Sequence, residues 1–430
     1  MVKWKSCVKH ETQVNFILYQ LSVILLTLLL SCKPGDGPKE SGTIPEPYAD
    51  GSFGYDYEFL KKYTDIILLE SGNGRVAVSP ALQGRVMTSA ADGMMGTSYG
   101  WINRAHFESG DTLDHINVYG GEERFWLGPE GGQYSIFFKE GVDFTFENWS
   151  TPRLIDLEPF DVRQQTGQEV SFTKTARLTN YSGFTFDFEI SRSVTILSGQ
   201  EIGVTLNIEI PEGINAVGYK TANQLKNVGS QAWDREKGLL SIWLLGMMRH
   251  SPTTTVIIPY IQGEESQLGV VVNDDYFGKV PEDRLVTSEK AIFFKADGQQ
   301  RGKIGLSPDR AQNVLGSYDP ASKALTIVKY NKPDGEAEYV NSKWELQDYP
   351  YNGDVINAYN DGPAEPGAKP MGPFYEMESS SPAAALSPQE SIEHIQYTFH
   401  FEGVEAKLDL IAQSVFNVSL VEIKSAFNPQ

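Results

Sequence analysis

Two carboxylates spaced two residues apart, Glu376 and Glu378 in the run Phe374-Tyr-Glu-Met-Glu-Ser-Ser380, are the best placed in this chain for acid–base chemistry. In a strand, side chains at i and i+2 share a face. Two carboxylates held close cannot both ionise freely, so one pKa rises toward neutrality, where a general acid or base works. The alternative is that both are solvated, or paired with an arginine such as Arg124. A second polar run, Asn352 to Gly362, holds Asn357, Tyr359, Asn360 and Asp361 shortly after Trp344. Planar amides and carboxylates fork onto neighbouring hydroxyls, and aromatic faces such as Trp126, Trp344 and Tyr359 cover the C–H face of a sugar. The same Asn, Asp and Gly content also builds a turn for backbone reasons alone.

Metal chemistry has less support. Asn273-Asp274-Asp275-Tyr276-Phe277-Gly278 offers oxygen ligands but lacks the spaced acidic register of a calcium loop. The six histidines are scattered without zinc spacing, and His394 and His400 share strand parity, which strand position alone explains. No cofactor is expected. The formal net charge is −20; residues before Cys32 carry a net +2, leaving −22 beyond it. Nucleic acid is therefore an unsuitable partner, because phosphate binding needs a basic face.

The elements that must hold these groups follow an export segment. Residues 16–32, FILYQLSVILLTLLLSC, form an uncharged apolar run preceded by Lys3, Lys5 and Lys9 and ending on Leu29-Leu30-Ser31-Cys32. The run has the length of a signal h-region rather than the roughly 20 residues of a spanning helix. It reads as a lipoprotein signal (1–31), with Cys32 lipidated and the protein held at a bacterial envelope membrane, most simply the outer membrane. Cys7 leaves with the signal, so no disulfide is available. Residues 32–51, rich in Pro, Gly, Lys and Glu, read as a tether.

From residue 52 to 430 a single large all-β domain of antiparallel sheets is expected. One short helix is expected over Tyr57–Tyr63. Period-two alternation marks strands at Ser171–Leu178, Phe184–Ile190 and Val204–Ile210, with turns at Leu197–Gln200 and Asn331–Gly335. Gly362–Pro370 reads as a loop within the domain. Oligomeric state is not encoded in any pattern found.

Three segments carry a family resemblance. Gly74–Ser89 resembles the strand pair opening aldose 1-epimerases and the wider galactose-mutarotase-like superfamily. Met377-Glu-Ser-Ser-Ser-Pro382, Leu386-Ser-Pro-Gln-Glu-Ser391 and the strand Ile395–Phe401 resemble its closing segment. Tyr119–Gly132, with Gly120-Gly121, Arg124, Trp126, Pro129 and Glu130, is similar to a signature of mutarotase-like bacterial lipoproteins. The resemblance implies a β-supersandwich binding a sugar on a concave face, with Glu378 at the base position. It also implies that Arg124 and Glu130 meet Glu376 and Glu378. The proton donor departs from the family: the counterpart of its Asn-His segment is Thr221–Gly229, which has no histidine, and His250 is the substitute candidate. Two function classes follow. One is an enzyme on a sugar, either an epimerase-like isomerase or a glycan hydrolase or lyase; the other is a non-catalytic glycan-binding lipoprotein.

Overall fold

Strands that alternate inward and outward residues need a second layer to cover their apolar face, and here two large antiparallel sheets supply it for each other. The computed structural model describes residues 47–363 and 367–427; the expected signal (1–31), Cys32 and the tether up to residue 46 lie outside the described residues. The larger sheet has ten strands in the order Leu285–Thr287, Ala291–Lys295, Thr255–Pro259, Val314–Asp319, Ala324–Tyr330, Ser391–Glu402, Asn215–Asn227, Thr185–Ile196, Glu169–Thr179 and Asp161–Gln165. The second sheet has five, in the order Gly302–Leu306, Ile356–Asn360, Phe374–Ser380, Ser241–Arg249 and Arg124–Gly128. Ile67–Ser71, Gly74–Ser79 and Arg85–Ala90 form a small third sheet. The all-β, antiparallel class expected from the sequence is what the structure has. Among the described residues no helix is long and apolar enough to cross a membrane.

Burial separates the two large sheets. Thr185–Ile196 alternates buried and half-buried residues along almost its whole length, as a strand with one covered face does. Ser241–Arg249 is buried at every position but the last, so both faces of its sheet are covered. The Phe374–Ser380 strand shows which face meets what. Tyr375 Oη lies 2.7 Å from Ser317 Oγ, and Ser379 donates to Gln396 at 2.7 Å, both partners belonging to the ten-stranded sheet. Glu376 and Glu378 alternate with these residues and so point away from that sheet.

A buried polar seam joins the sheets. Arg192 donates to Glu123 at 2.9 Å and to the carbonyl of Gly84 at 3.0 Å, and also binds Asn223. Gln396 donates to the other Glu123 oxygen at 2.8 Å. Glu122 accepts from Ser89 and lies 2.7 Å from His400 Nε2, whose ring stacks on Tyr99 at 3.9 Å. His394 Nε2 is 2.7 Å from Ser379 Oγ, and burial pushes its imidazole down to about 3, so it is neutral. The shared parity of His394 and His400 therefore turns both inward, as part of this seam.

Two local readings are corrected. The alternation at Val204–Ile210 is not a strand: Gly199–Leu206 is a helix, closed by Asn207 in the left-handed region. Ser198 accepts from the Glu201 N–H while Glu201 reaches back to Ser198 N at 2.7 Å, a reciprocal cap that outweighs the β-branched run. Removing that cap with Ser198→Ala should cost about 1 kcal/mol, measured by denaturant unfolding. The first helix is Phe53–Leu60, not Tyr57–Tyr63, because Ser52 caps it four residues earlier than expected. The C-terminal helices Glu405–Phe416 and Leu420–Ser425 were also not anticipated; the first buries Leu408, Ile411, Ala412 and Phe416 at helical spacing. The ordered body takes in part of the tether span: the ring of Tyr48 sits where a side chain on Gly54 would stand.

Candidate functional site

Register places one set of side chains on the outward face of the five-stranded sheet. Glu376 pairs with Tyr359 and Met247, and Glu378 with Asn357 and Leu245. Lys303 pairs with Tyr359, and Trp126 with Trp243, with Arg124 two residues before Trp126 on the same face. Antiparallel partners share a face. Lys303, Asn357, Tyr359, Glu376, Glu378, Trp243, Arg124 and Trp126 therefore converge there.

Glu378 is held asymmetrically. Its Oε2 accepts from Lys303 Nζ and from Trp243 Nε1, each at 2.9 Å. Its Oε1 is buried and has no hydrogen-bond partner among the described residues. Arg124 pairs with Glu376 through Nη2 and lies over the Trp126 ring at 4.8 Å. Trp126 and Trp243 meet edge to face at 5.6 Å. The Trp126 indole N–H and Arg124 Nε are likewise buried without partners among the described residues. A buried polar group normally finds a partner, so two donors and one carboxylate oxygen are free to meet polar groups brought in from outside.

Loops complete the surround. Glu130 follows the Arg124–Gly128 strand in a turn fixed by Ser342 Oγ, which accepts from Glu130 N at 3.1 Å. A side chain on Gly131 would fall 2.3 Å from the Lys343 carbonyl, so the turn packs directly on the Asn341–Gln347 stretch. That stretch carries Trp344, stacked on Trp149 at 5.8 Å, and both indoles lie beside the Glu130 carboxyl. On the other side, Asp354 accepts from Asn273 at 3.1 Å and from the Tyr276 hydroxyl, to which Asn357 donates at 3.1 Å. Gly305 leaves the room for this: a Cβ there would stand 2.2 Å from Asp354 Oδ2.

The electrostatics follow from burial. Glu378 is 1 % and Glu376 6 % exposed. Burial raises the Glu376 pKa; the Arg124 charge opposes this and the Glu378 charge adds to it. Burial pushes Glu130 up to about 7, with Lys303 opposing and the Glu378 charge reinforcing the shift. Burial alone would lower Lys303, but the charges of Glu378 and Glu130 outweigh it and hold the ammonium above its ordinary value. Two cations thus face three carboxylates, the imbalance being relieved when one carboxyl keeps its proton.

Not every anticipated residue joins this group. His250 sits beyond the end of its strand against Gly298, with Asp297, Asp361 and Asp319 as its charged neighbours, and makes no contact with Glu376 or Glu378 among the described residues. Asn360 faces the opposite way, accepting from Gly298 N and donating to the Gln300 carbonyl. Asp361 is engaged internally by the Tyr359 hydroxyl and Gly372 N. Conversely, Lys303, Trp243 and Trp149 were not anticipated; Asp354 belongs to the polar run Asn352 to Gly362, and Tyr276 to the segment weighed and set aside as a calcium loop. Among the described residues no group of three or more His, Cys, Asp or Glu could hold a metal ion. An open groove of about 590 Å³ lies elsewhere, between Ile136–Glu158 and Lys174–Asn180, and contains none of Glu130, Glu376 and Glu378.

Solved structures similar to this chain include a galactose mutarotase-like protein from Lactobacillus casei ATCC 334, at 10% identity and TM-score 0.45, covering 78% of this chain and 100% of that one. A galactose mutarotase related enzyme from Lactobacillus acidophilus is similar at 8% identity and TM-score 0.44, covering 79% of this chain and 98% of that one. At such identities the likeness says nothing about individual residues, and the site is read from its own side chains. No curated protein matches the chain. Residues 51–427 match a family of unknown function, DUF6786, and the chain belongs to that family.

Proposed function

We propose that this protein acts on a sugar held against the outward face of the five-stranded sheet, with Glu378 as general base. One observation carries the reading: Glu378 is anchored through Oε2 by Lys303 and Trp243, while its buried Oε1 has no hydrogen-bond partner among the described residues. A proton acceptor needs to be fixed and unoccupied at once. The surrounding indoles supply flat apolar faces for C–H groups, and Arg124, Asn357 and Tyr276 supply hydroxyl partners. An epimerase-like isomerase is the simplest activity for this set; a hydrolase or lyase would use the same carboxylates.

A second reading, glycan binding without turnover, is favoured by one fact: no histidine contacts Glu376 or Glu378 among the described residues. Screening for glycan binding and for anomeric exchange on common aldoses separates the two. Under either reading Trp126→Ala or Trp344→Ala should weaken sugar affinity by about tenfold, because an aromatic contact is worth roughly 0.5–1.5 kcal/mol beyond buried area. Unchanged affinity in both variants, measured by calorimetry, would remove the sugar from this face.

The envelope location is part of the same proposal. Cys32 would carry the lipid anchor, and a single acyl chain gives only marginal attachment, so two or more are expected. Cys32→Ala should release the protein from the membrane fraction or leave it unprocessed. A variant that is shortened normally and stays membrane-bound would contradict this.

A further inference from the structure

We infer that the strand Glu169–Thr179 takes an added strand along its bare edge, an extended acidic peptide segment of a partner protein seated in the groove between Ile136–Glu158 and Lys174–Asn180. The inference is independent of the sugar reading. It starts from a mismatch of strand lengths. Asp161–Gln165 covers the outer edge of Glu169–Thr179 only as far as Thr173, which pairs with Asp161. Just before Asp161 the chain has turned away, since the Phe160 N–H donates to the Pro80 carbonyl at 3.1 Å. On its other edge the long strand stays paired with Thr185–Ile196 all the way to Thr179. From Lys174 to Thr179 the ten-stranded sheet is therefore bare on one side.

Alternation identifies the bare groups. The Glu169 carbonyl accepts from Thr166 N–H at 2.7 Å on the outer side, whereas Asn180 N–H donates to the Phe184 carbonyl on the inner one. Odd-numbered residues thus turn their backbone outward. The N–H and C=O of Thr175, Arg177 and Thr179 have no hydrogen-bond partner among the described residues. Every residue from Lys174 to Asn180 lines the groove, as a strand edge does; a sheet face would present alternate residues only. The next outward group, Tyr181 N–H, donates to Ser135 at 2.7 Å and closes one end.

A row of amide donors and acceptors at strand spacing is matched by another extended polypeptide. The groove of about 590 Å³ has room beside the edge. Half of an incoming strand's side chains fall on the side of Ala176 and Leu178, which pack against the core cluster that holds Phe137, Phe138 and Leu154. The other half fall beside the exposed Thr175, Arg177 and Thr179. Charge selects the partner. Lys139, Arg153, Lys174 and Arg177 outnumber Glu140 and Glu158 in the lining, on a chain whose net charge is −20. Lys174 pairs with Glu158 at 2.9 Å and Arg177 with Asp187 at 2.6 Å, but the exposed Lys139 and Arg153 enter no ion pair among the described residues. The incoming strand thus carries carboxylates. A second copy fits worse: pairing the three bare residues with themselves about a twofold axis sets Arg177 opposite Arg177, and like charges directly opposite repel.

The test uses the full chain in detergent and two fluorescent probes of about nine residues, one alternating Val with Glu and one alternating Val with Lys, read by anisotropy. The Val-Glu probe should bind at least about tenfold tighter than the Val-Lys probe, and Lys139→Glu should narrow that preference. Binding should slow amide hydrogen exchange within Lys174–Asn180, read by mass spectrometry. Methylating one alternate set of the probe's backbone nitrogens should abolish binding, while methylating the other set should change it less than about threefold. This arm leaves the protein unaltered. Thr175→Pro removes one outward N–H and none that pairs with Thr185–Ile196, so it should weaken binding by about three- to tenfold. Absence of Val-Glu binding at about 1 mM probe would overturn the inference. So would binding indifferent to which nitrogens are methylated, or protection that leaves Lys174–Asn180 unchanged. A peptide-free dimer that dissociates on Thr175→Pro would assign the edge to a second copy instead, and displacement of the probe by monosaccharides would make the groove a sugar site.

Discussion

Replacing Glu378 by glutamine is expected to reduce turnover by ~10²-fold or more while changing sugar affinity little. The amide oxygen can still accept from Lys303 and Trp243, which now sit 2.9 Å from the carboxylate, so the strand and the indole stay in place. What is lost is the acceptor on Oε1, the one buried oxygen of this residue without a partner. The effect should therefore appear in kcat and not in KM, measured by steady-state anomeric exchange. A binding protein would respond differently. The same variant would then alter affinity modestly, and the damaging changes would be those at Trp126 and Trp344.

The second large effect concerns stability. Glu123 and Arg192 are buried completely and pair at 2.9 Å between the sheets. Glu123→Ala leaves the Arg192 charge in the interior without its counter-ion, which should cost about 3–5 kcal/mol in chemical unfolding. The Gly84 carbonyl and Asn223 still accept from Arg192, which argues for the lower half of that range. Combining Glu123→Ala with Arg192→Leu should cost less than the sum of the two single changes, because no unpaired charge remains. Strict additivity would mean that the pair does not hold the sheets together.

These two experiments probe groups of very different legibility. Glu376 and Glu378 were visible because a spacing of two is enough to put side chains on one strand face. The same rule, applied to Asn357-Ala-Tyr-Asn-Asp361, separates Asn360 from its neighbours, and treating the run as one polar patch hid this. Lys303 and Trp243 could not be found locally. They reach Glu378 from strands on either side of it, and strand order is set by packing of the whole sheet rather than by any short pattern.

Glu122 and Glu123 stand beside Arg124 in one signature yet serve the interior, since Glu123 and Arg124 alternate across the sheet and Glu122 precedes the strand. The helix at Gly199–Leu206 had its cue in the Ser198–Glu201 cap, but the β-branched alternation beyond it carried more weight in the reading. The C-terminal helix shows only four buried positions in twelve, a faint stripe against a strongly β background.

The most direct test of the central claim is a crystal structure of the Glu378→Gln protein with the aldose that binds best in a monosaccharide panel. The account predicts the ring on the outward face of the five-stranded sheet, its C1 hydroxyl within hydrogen-bond distance of position 378, and one C–H face against an indole of Trp126 or Trp344. A sugar bound in the groove between Ile136–Glu158 and Lys174–Asn180, with the carboxylate face untouched, would contradict it.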